Sequence, residues 1–269
     1  MRTRIPINEY TNIETDENYM EIIFEPKIKR IVVIPKESDK NNSKIHNSKI
    51  DFNYVYKKLK SIIQKEDNEK IIYNQIHIQL DKTQSQTPPH DTMLPVKTYK
   101  TMISSLNTEI KSVKNPNDNF FDSIINIKNE KELIKNLHVI QNAAFKDSWG
   151  FSPNSITDIT NKIQSSNNIK NGILFAMKKI PIGYIWLEKD NKDNKLAHVS
   201  MIGTHPDFTG KGVASSLLKH AVLFLKDTKY THLKLEVDND NSGARKVYEK
   251  YGFKDSDTKY WYEFLNQSF

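Results

Sequence analysis

The sequence predicts an α/β protein on a mixed sheet, with a smaller α/β domain ahead of a larger one. Three observations lead there. Apolar runs of period two alternate with apolar stripes of helical period along the chain. A polar stretch, SVKNPNDN (Ser112–Asn119), separates two patterned regions. Gly210 and Gly212 stand between a strand-like run and a long helix-like one, in a chain with only 8 glycines among 269 residues. Domains are expected at 1–111 and 120–269, with 112–119 as the linker.

In the first part, YMEIIFEP and KRIVVIP are expected as strands. FNYVYKKLKSIIQK is expected as a helix with Val55, Leu59 and Ile62 on one face, and YNQIHIQL as a further strand. The order is β-β-α-β. Pro35–Asp51, which repeats Asn-Ser-Lys-Ile, and Asp81–Pro95 are expected as loops.

The second part reads α-α-β-β-β-α-β-α-β. EKELIKNLHVIQNAAF places Leu133, Leu137, Ile140 and Ala144 at helical spacing, and SITDITNKIQSS follows with Ser155 as its cap. GILFAMKK and PIGYIWLEK are strands about a turn at Lys179–Pro181, and LAHVSMIGTH is a third. A helix runs from Gly212 to about Lys226. THLKLEV is a strand, SGARKVYEKY a short helix closed by Gly252, and KYWYEFL the last strand.

Composition narrows the chemistry. There is no cysteine, which excludes disulfides, zinc–thiolate centres, iron–sulfur clusters and cysteine nucleophiles. No run is long and apolar enough to span a bilayer, and MRTRIPINEY lacks a signal-peptide core, so a soluble cytoplasmic protein is expected. The net charge of +7 would suit an anionic ligand or nucleic acid, but dispersed surface lysine is the preferred explanation. A nucleic-acid module in the first part is a rival reading that nothing in the sequence requires. His198 and His205 flank the third strand without metal-ligand spacing; no metal is expected, and both are read as structural or surface residues.

A strand, a glycine turn and a helix together make an anion site. The first helical turn has N–H groups without partners, its dipole favours negative charge, and glycine lets a phosphate approach. The Walker and dinucleotide fingerprints both fail here, the second because position 215 is Ser. THPDFTGKGVASSLL together with LEVDNDNSGARKVYEKYGF resembles the GNAT acyltransferase superfamily over about Phe120–Phe264. The family turn is Arg/Gln-x-x-Gly-x-Gly/Ala. Gly212 and Ala214 match it, and Thr209 stands where Arg or Gln is usual. The second motif, Asn-x-x-Ala-x-x-x-Tyr-x-x-x-Gly-Phe, is met by Asn241, Ala244, Tyr248, Gly252 and Phe253. NAAFKDSWGFSP resembles an acceptor-side segment of mycothiol-synthase-like members, which carry two GNAT domains. On that likeness the first part is a degenerate copy without a glycine turn.

The resemblance implies an acetyl-CoA-dependent N-acetyltransferase that uses acetyl-CoA as co-substrate and a primary amine as acceptor, by direct transfer. It implies a bulged strand that splays from its neighbour, with backbone contacts to the cofactor from Ile202, Gly203 and Thr204. It places the pyrophosphate on the turn Thr209, Gly210, Lys211, Gly212, Val213, Ala214 and Ser215, and brings Asn241 in from the opposite loop. Tyr248 is the candidate acid for the departing thiolate; its alternative is a buried helix face with Ala244, Val247 and Tyr251. Glu236, on the strand face with Lys234 and Asp238, is the candidate base, with water or a purely structural carboxylate as alternatives. Trp149 and Tyr184 are candidates for an acceptor pocket or for plain core. The resemblance allows a homodimer and involves no membrane. A non-catalytic acyl-CoA sensor is the rival to the enzyme, favoured by Thr209.

Overall fold

A computed structural model describes residues 13–16, 20–25, 29–35, 57–59, 61, 75–81, 93–107, 122–127 and 129–265. The chain forms two compact units, Met1–Tyr99 with Asp257–Phe269, and Lys100–Ser256.

The first unit holds β1 (Ile13–Asp16), β2 (Met20–Glu25), β3 (Arg30–Pro35), β4 (Gln75–Asp81) and most of β11 (Lys254–Phe264), in the order β1-β2-β3-β4-β11. β2 pairs antiparallel with β3, β3 runs parallel to β4, and β11 returns antiparallel to β4 with Tyr262 opposite Ile78. Alternate side chains build one apolar layer, including Phe24, Ile31, Val33, Ile78 and Tyr262. Residues 57–59 and 61 are helical and Leu59 joins this core; the rest of the expected helix lies outside the described residues. So do the linker at 112–119 and residues 36–51 and 82–92 of the two expected loops; the loop ends Pro35, Asp81 and Met93–Pro95 are instead strand, extended by pairing with neighbouring strands.

The second unit contains the elements expected of it except the last strand: KYWYEFL falls in β11 and groups with the first unit, because it pairs with β4. β5 (Met93–Ser105) enters it at Lys100, followed by β6 (Ser123–Ile125), α1 (Glu130–Phe145) and α2 (Ile156–Ile163). Then come β7 (Asn168–Lys178), β8 (Ile180–Lys189), β9 (Leu196–Thr204), α3 (Val213–Lys226), β10 (His232–Asp238) and α4 (Ser242–Lys250). The strand order is β5-β10-β9-β8-β7-β6. β1, β5 and β6 were not expected as strands. β1 and β6 are short, and in β5 Pro95, Lys97 and Lys100 blur the alternation that marks a strand.

Local chemistry explains the helix starts. Asn129 caps α1 by accepting from Glu132 N (3.1 Å). Ser155 and Asp158 form a reciprocal capping box on α2. Lys179 takes φ +61° at the hairpin between β7 and β8. The sheet of this unit is covered on both faces. α3 and α4 bury Leu217, Leu218, Ala221 and Tyr248 against Ala197, Val199 and Leu235. On the other face, Leu137, Ile140 and Ile159 of α1 and α2 pack on Phe175, Tyr184 and Trp186.

Candidate active site

β9 and β10 are parallel neighbours that part. Their register holds for three rungs only: His232 with Leu196, Leu233 with Ala197, and Lys234 with His198. Beyond these, Val199–Thr204 and Leu235–Asp238 run on without pairing to each other. On its other side β9 stays paired to β8, through Gly183 opposite Thr204, Tyr184 opposite Gly203 and Ile185 opposite Ile202. His205 N donates to Ile182 O (2.9 Å), so its backbone faces β8. By the alternation of an antiparallel ladder, Gly203 also faces β8, while the N–H and C=O of Ile202 and Thr204 face the split.

A bulge re-aims the strand. Trp186 pairs with Met201 and Leu187 with Val199, which leaves Ser200 as the extra residue. Ser200 and Met201 therefore both point to the α1–α2 face, and Ile202 returns to the α3–α4 face.

At the mouth of the split the chain makes a 3-10 turn, Pro206–Phe208, and then enters α3. Gly210 and Gly212 take φ +73° and +79°, the left-handed region where a side chain is strained. Gly212 is the N-cap and has no side-chain capping bond. A Cβ built on Gly210 would meet nothing within 4 Å, so this corner is open to a ligand. Thr209 Oγ1 donates to Pro206 O (2.8 Å) and Lys211 Nζ to Asp207 O (3.0 Å), which fastens the loop to itself. Val213 and Ala214 begin the helix, and Ser215 Oγ shares a buried 3.0 Å hydrogen bond with Tyr251 OH. A helix start without a side-chain cap, behind two left-handed glycines, can take up an anion, and the bared edges of β9 and β10 can pair with an amide-bearing arm. These features fit an acyl-CoA. Among the described residues, no group of three His, Asp or Glu is arranged to hold a metal ion.

Tyr248 lies on α4, its ring buried and tilted against Phe253 (centroids 6.1 Å apart). Burial pushes its pKa up to about 12, so the phenol keeps its proton at ordinary pH. Asn241 stands in the loop after β10, where its Oδ1 accepts from Ala244 N (3.0 Å) as the cap of α4. Glu236 is exposed on β10, two residues past the last rung of the split and on the α1–α2 face. Tyr184 is enclosed in the core; burial raises its pKa, and its hydroxyl reaches Met201 Sδ (3.6 Å). Trp149 is half-buried in the loop after α1. His205 Nδ1 accepts from Asp207 N (3.3 Å) and caps the 3-10 turn.

Near the bulge stand His198, read from the sequence as structural or surface, and the carboxylates Glu188 and Asp190, which the sequence did not mark. His198 shares the last rung with Lys234 and is opposite Glu188 on β8. Lys234 pairs with Asp190. Burial raises the Asp190 carboxyl, but the Lys234 ammonium and the N–H groups of Lys192 and Asp193 outweigh it and hold the pKa at about 2. A cavity of about 380 Å³ lies apart, among Asn126, Leu133, Ile163 and Gly172, and none of the residues assigned to the site lines it.

Comparison with known proteins agrees with this geometry. The family model of the Acetyltransferase (GNAT) family matches residues 135–253. A mycothiol acetyltransferase from Actinosynnema mirum is 32% identical over 72 residues, 27% of this chain and 24% of that protein. Another, from Propionibacterium freudenreichii subsp. shermanii, is 30% identical over 73 residues, 27% of this chain and 23% of that protein. The matched stretch thus spans about a quarter of these relatives. In fold, the chain is similar to a GCN5-related N-acetyltransferase from Sphaerobacter thermophilus (TM-score 0.64, 13% identity, 91% of this chain and 75% of that one). It is also similar to a tandem GNAT protein from the clavulanic acid biosynthesis pathway (TM-score 0.59, 10% identity, 95% of this chain and 83% of that one). The parted strands, the glycine-marked helix start and the sequence match converge: residues 135–253 are a domain of the GNAT acetyltransferase family.

Proposed function

We propose that the second unit transfers an acetyl group from acetyl-CoA to a primary amine. The observation that carries this is the parting of β9 from β10 after Lys234, beside the uncapped start of α3. Acetyl-CoA supplies an activated acyl carbon and a thiolate leaving group. The chain supplies the rest. The Ile202 and Thr204 backbone pairs with the pantetheine arm beside Gly203. The turn Thr209–Ser215 holds the pyrophosphate on the amides that open α3, and Asn241 closes the site from the loop after β10. Tyr248 OH returns a proton to the thiolate, since a phenol with a raised pKa holds that proton until charge develops beside it. Glu236 removes the amine proton, directly or through water.

The acceptor meets the α1–α2 face of the split. The similar proteins named for mycothiol make an aminothiol one member of the test panel, beside a polyamine, an aminoglycoside and a peptide N-terminus. CoA release that depends on one of these amines supports the reading. Calorimetric binding of acetyl-CoA without turnover on any would favour the alternative, a non-catalytic acyl-CoA sensor. One observation supports that alternative: the Thr209 hydroxyl is spent on Pro206 O instead of reaching outward.

A further inference from the structure

Lys162, in the last turn of α2, reaches across the α1–α2 face to the bulge of β9. Its Nζ donates to Ser200 Oγ at 2.8 Å. The same Nζ lies 3.8 Å from Glu188 Oε1 and 5.0 Å from the centroid of the Trp186 ring. Ser200 is the residue the bulge adds, and two residues on, Ile202 turns its backbone to the split. Two residues of strand span roughly 6.5 Å. The lysine is thus tied to the strand along which the acyl group would lie, on the face from which an amine approaches. Its side chain is 38% exposed, open enough to meet a ligand.

The surroundings favour a reactive amine. Burial lowers the Lys162 pKa and outweighs the opposing pull of Glu188. The neighbouring ammonium, Lys234, is taken by Asp190. We propose that Lys162 is itself an acetyl acceptor, so that the protein acetylates its own Lys162 in cis when acetyl-CoA is bound. This rests on the split being the acyl-CoA site. In the step, Lys162 first gives one proton to solvent. The Nζ lone pair then forms a bond to the acetyl carbon, and the carbon–sulfur bond breaks. The thiolate leaves and takes up a proton, and Nζ loses its second proton to become the amide. The net change is ammonium plus thioester to amide, thiol and one released proton. Acetyl-Lys162 keeps an N–H for Ser200 but loses the charge that faces Glu188 and Trp186, so the modification would alter the acceptor side of the site.

The test uses the full chain. Calorimetry first measures acetyl-CoA binding. The chain is then incubated with acetyl-CoA alone, and acetylation of each lysine is followed by peptide mass spectrometry at several protein concentrations. Exposed Lys179 and Lys254 serve as internal references. Proximity should make Lys162 at least roughly tenfold faster than either, with a rate constant independent of protein concentration. In Lys162→Arg, CoA release without added amine should fall to background while acetyl-CoA affinity stays unchanged. Bound acetyl-CoA with Lys162 no faster than the references overturns the proposal and leaves the functional reading standing. A rate constant that rises in proportion to protein concentration also overturns it, because transfer would then be between molecules. Absence of acetyl-CoA binding removes both.

Discussion

Gly183→Ala probes how the helix start is seated. Gly183 lies on β8 directly opposite Thr204, under the first turns of α3. A Cβ there would stand 2.7 Å from Val213 Cγ1, 3.1 Å from Gly203 O and 3.2 Å from Leu217 Cδ1. Val213 and Leu217 are both buried and Gly203 O is backbone, so none of the three can swing away cheaply. The first turn of α3 must lift from the sheet. Overpacking of this kind costs about 1–3 kcal/mol. For a unit of this size each kcal/mol lowers the melting temperature by about 2–4 °C, so a fall of about 2–12 °C is expected. Lifting also displaces the amides of Val213–Ser215, and acetyl-CoA should bind roughly tenfold more weakly, about 1.4 kcal/mol. Gly243→Ala in α4 is the control: the nearest atom to its Cβ would be Asn241 Oδ1 at 3.8 Å, and alanine in a helix is worth up to about 1 kcal/mol over glycine. Circular dichroism melts and calorimetry on both variants decide the matter. A Gly183→Ala chain with the parental melting temperature and affinity would show that α3 does not bear on this glycine, and the seating described above would be wrong.

Four other outcomes are expected. Gly212→Val puts a branched side chain at φ +79° and should weaken acetyl-CoA by at least roughly tenfold; a folded variant with unchanged calorimetric affinity would take the turn out of the site. Tyr248→Phe keeps the ring packing and should lower turnover by roughly 10²-fold with little change in melting temperature, whereas full activity would reduce Tyr248 to a core residue. At alkaline pH the same tyrosine should cost stability. Its folded pKa of about 12 lies above the ordinary value of 10.0, so its contribution is intact below pH 10 and is lost as pH rises towards 12. The full loss is about 3 kcal/mol. Denaturant melts at about pH 9 and about pH 11 should show a smaller alkaline loss in Tyr248→Phe than in the parent, and equal losses would contradict the assignment. Finally, calorimetry on the full chain should give one acetyl-CoA per chain, because the first part has no glycine-marked helix start; a second equivalent would show an overlooked site.

What the sequence determined by itself is local. A side chain that satisfies its own helix end left a mark a few residues wide: Ser155 at the start of α2. Gly210 and Gly212 announced left-handed backbone, and period-two runs announced β7 to β10, because conformational preference acts within a turn or a rung. With the motif spacing of Gly212 and Ala214, and of Asn241 and Tyr248, that was enough to reach the GNAT fold. The tertiary structure decided what depends on partners far away in the chain. Most of β11 belongs with β4, a pairing of residues about 180 positions apart, and no periodicity encodes a partner. The bulge at Ser200 arises from the register between β8 and β9 and turns two neighbouring side chains to one face. The end of pairing after Lys234 is a property of two strands, not of either one. Lys162 meets Ser200 from 38 residues away, and in the sequence it is one lysine among many. Its place at the bulge follows from how α2 packs on the sheet, which is settled by burial of Ile159 against Trp186 and not by anything beside Lys162 in the chain.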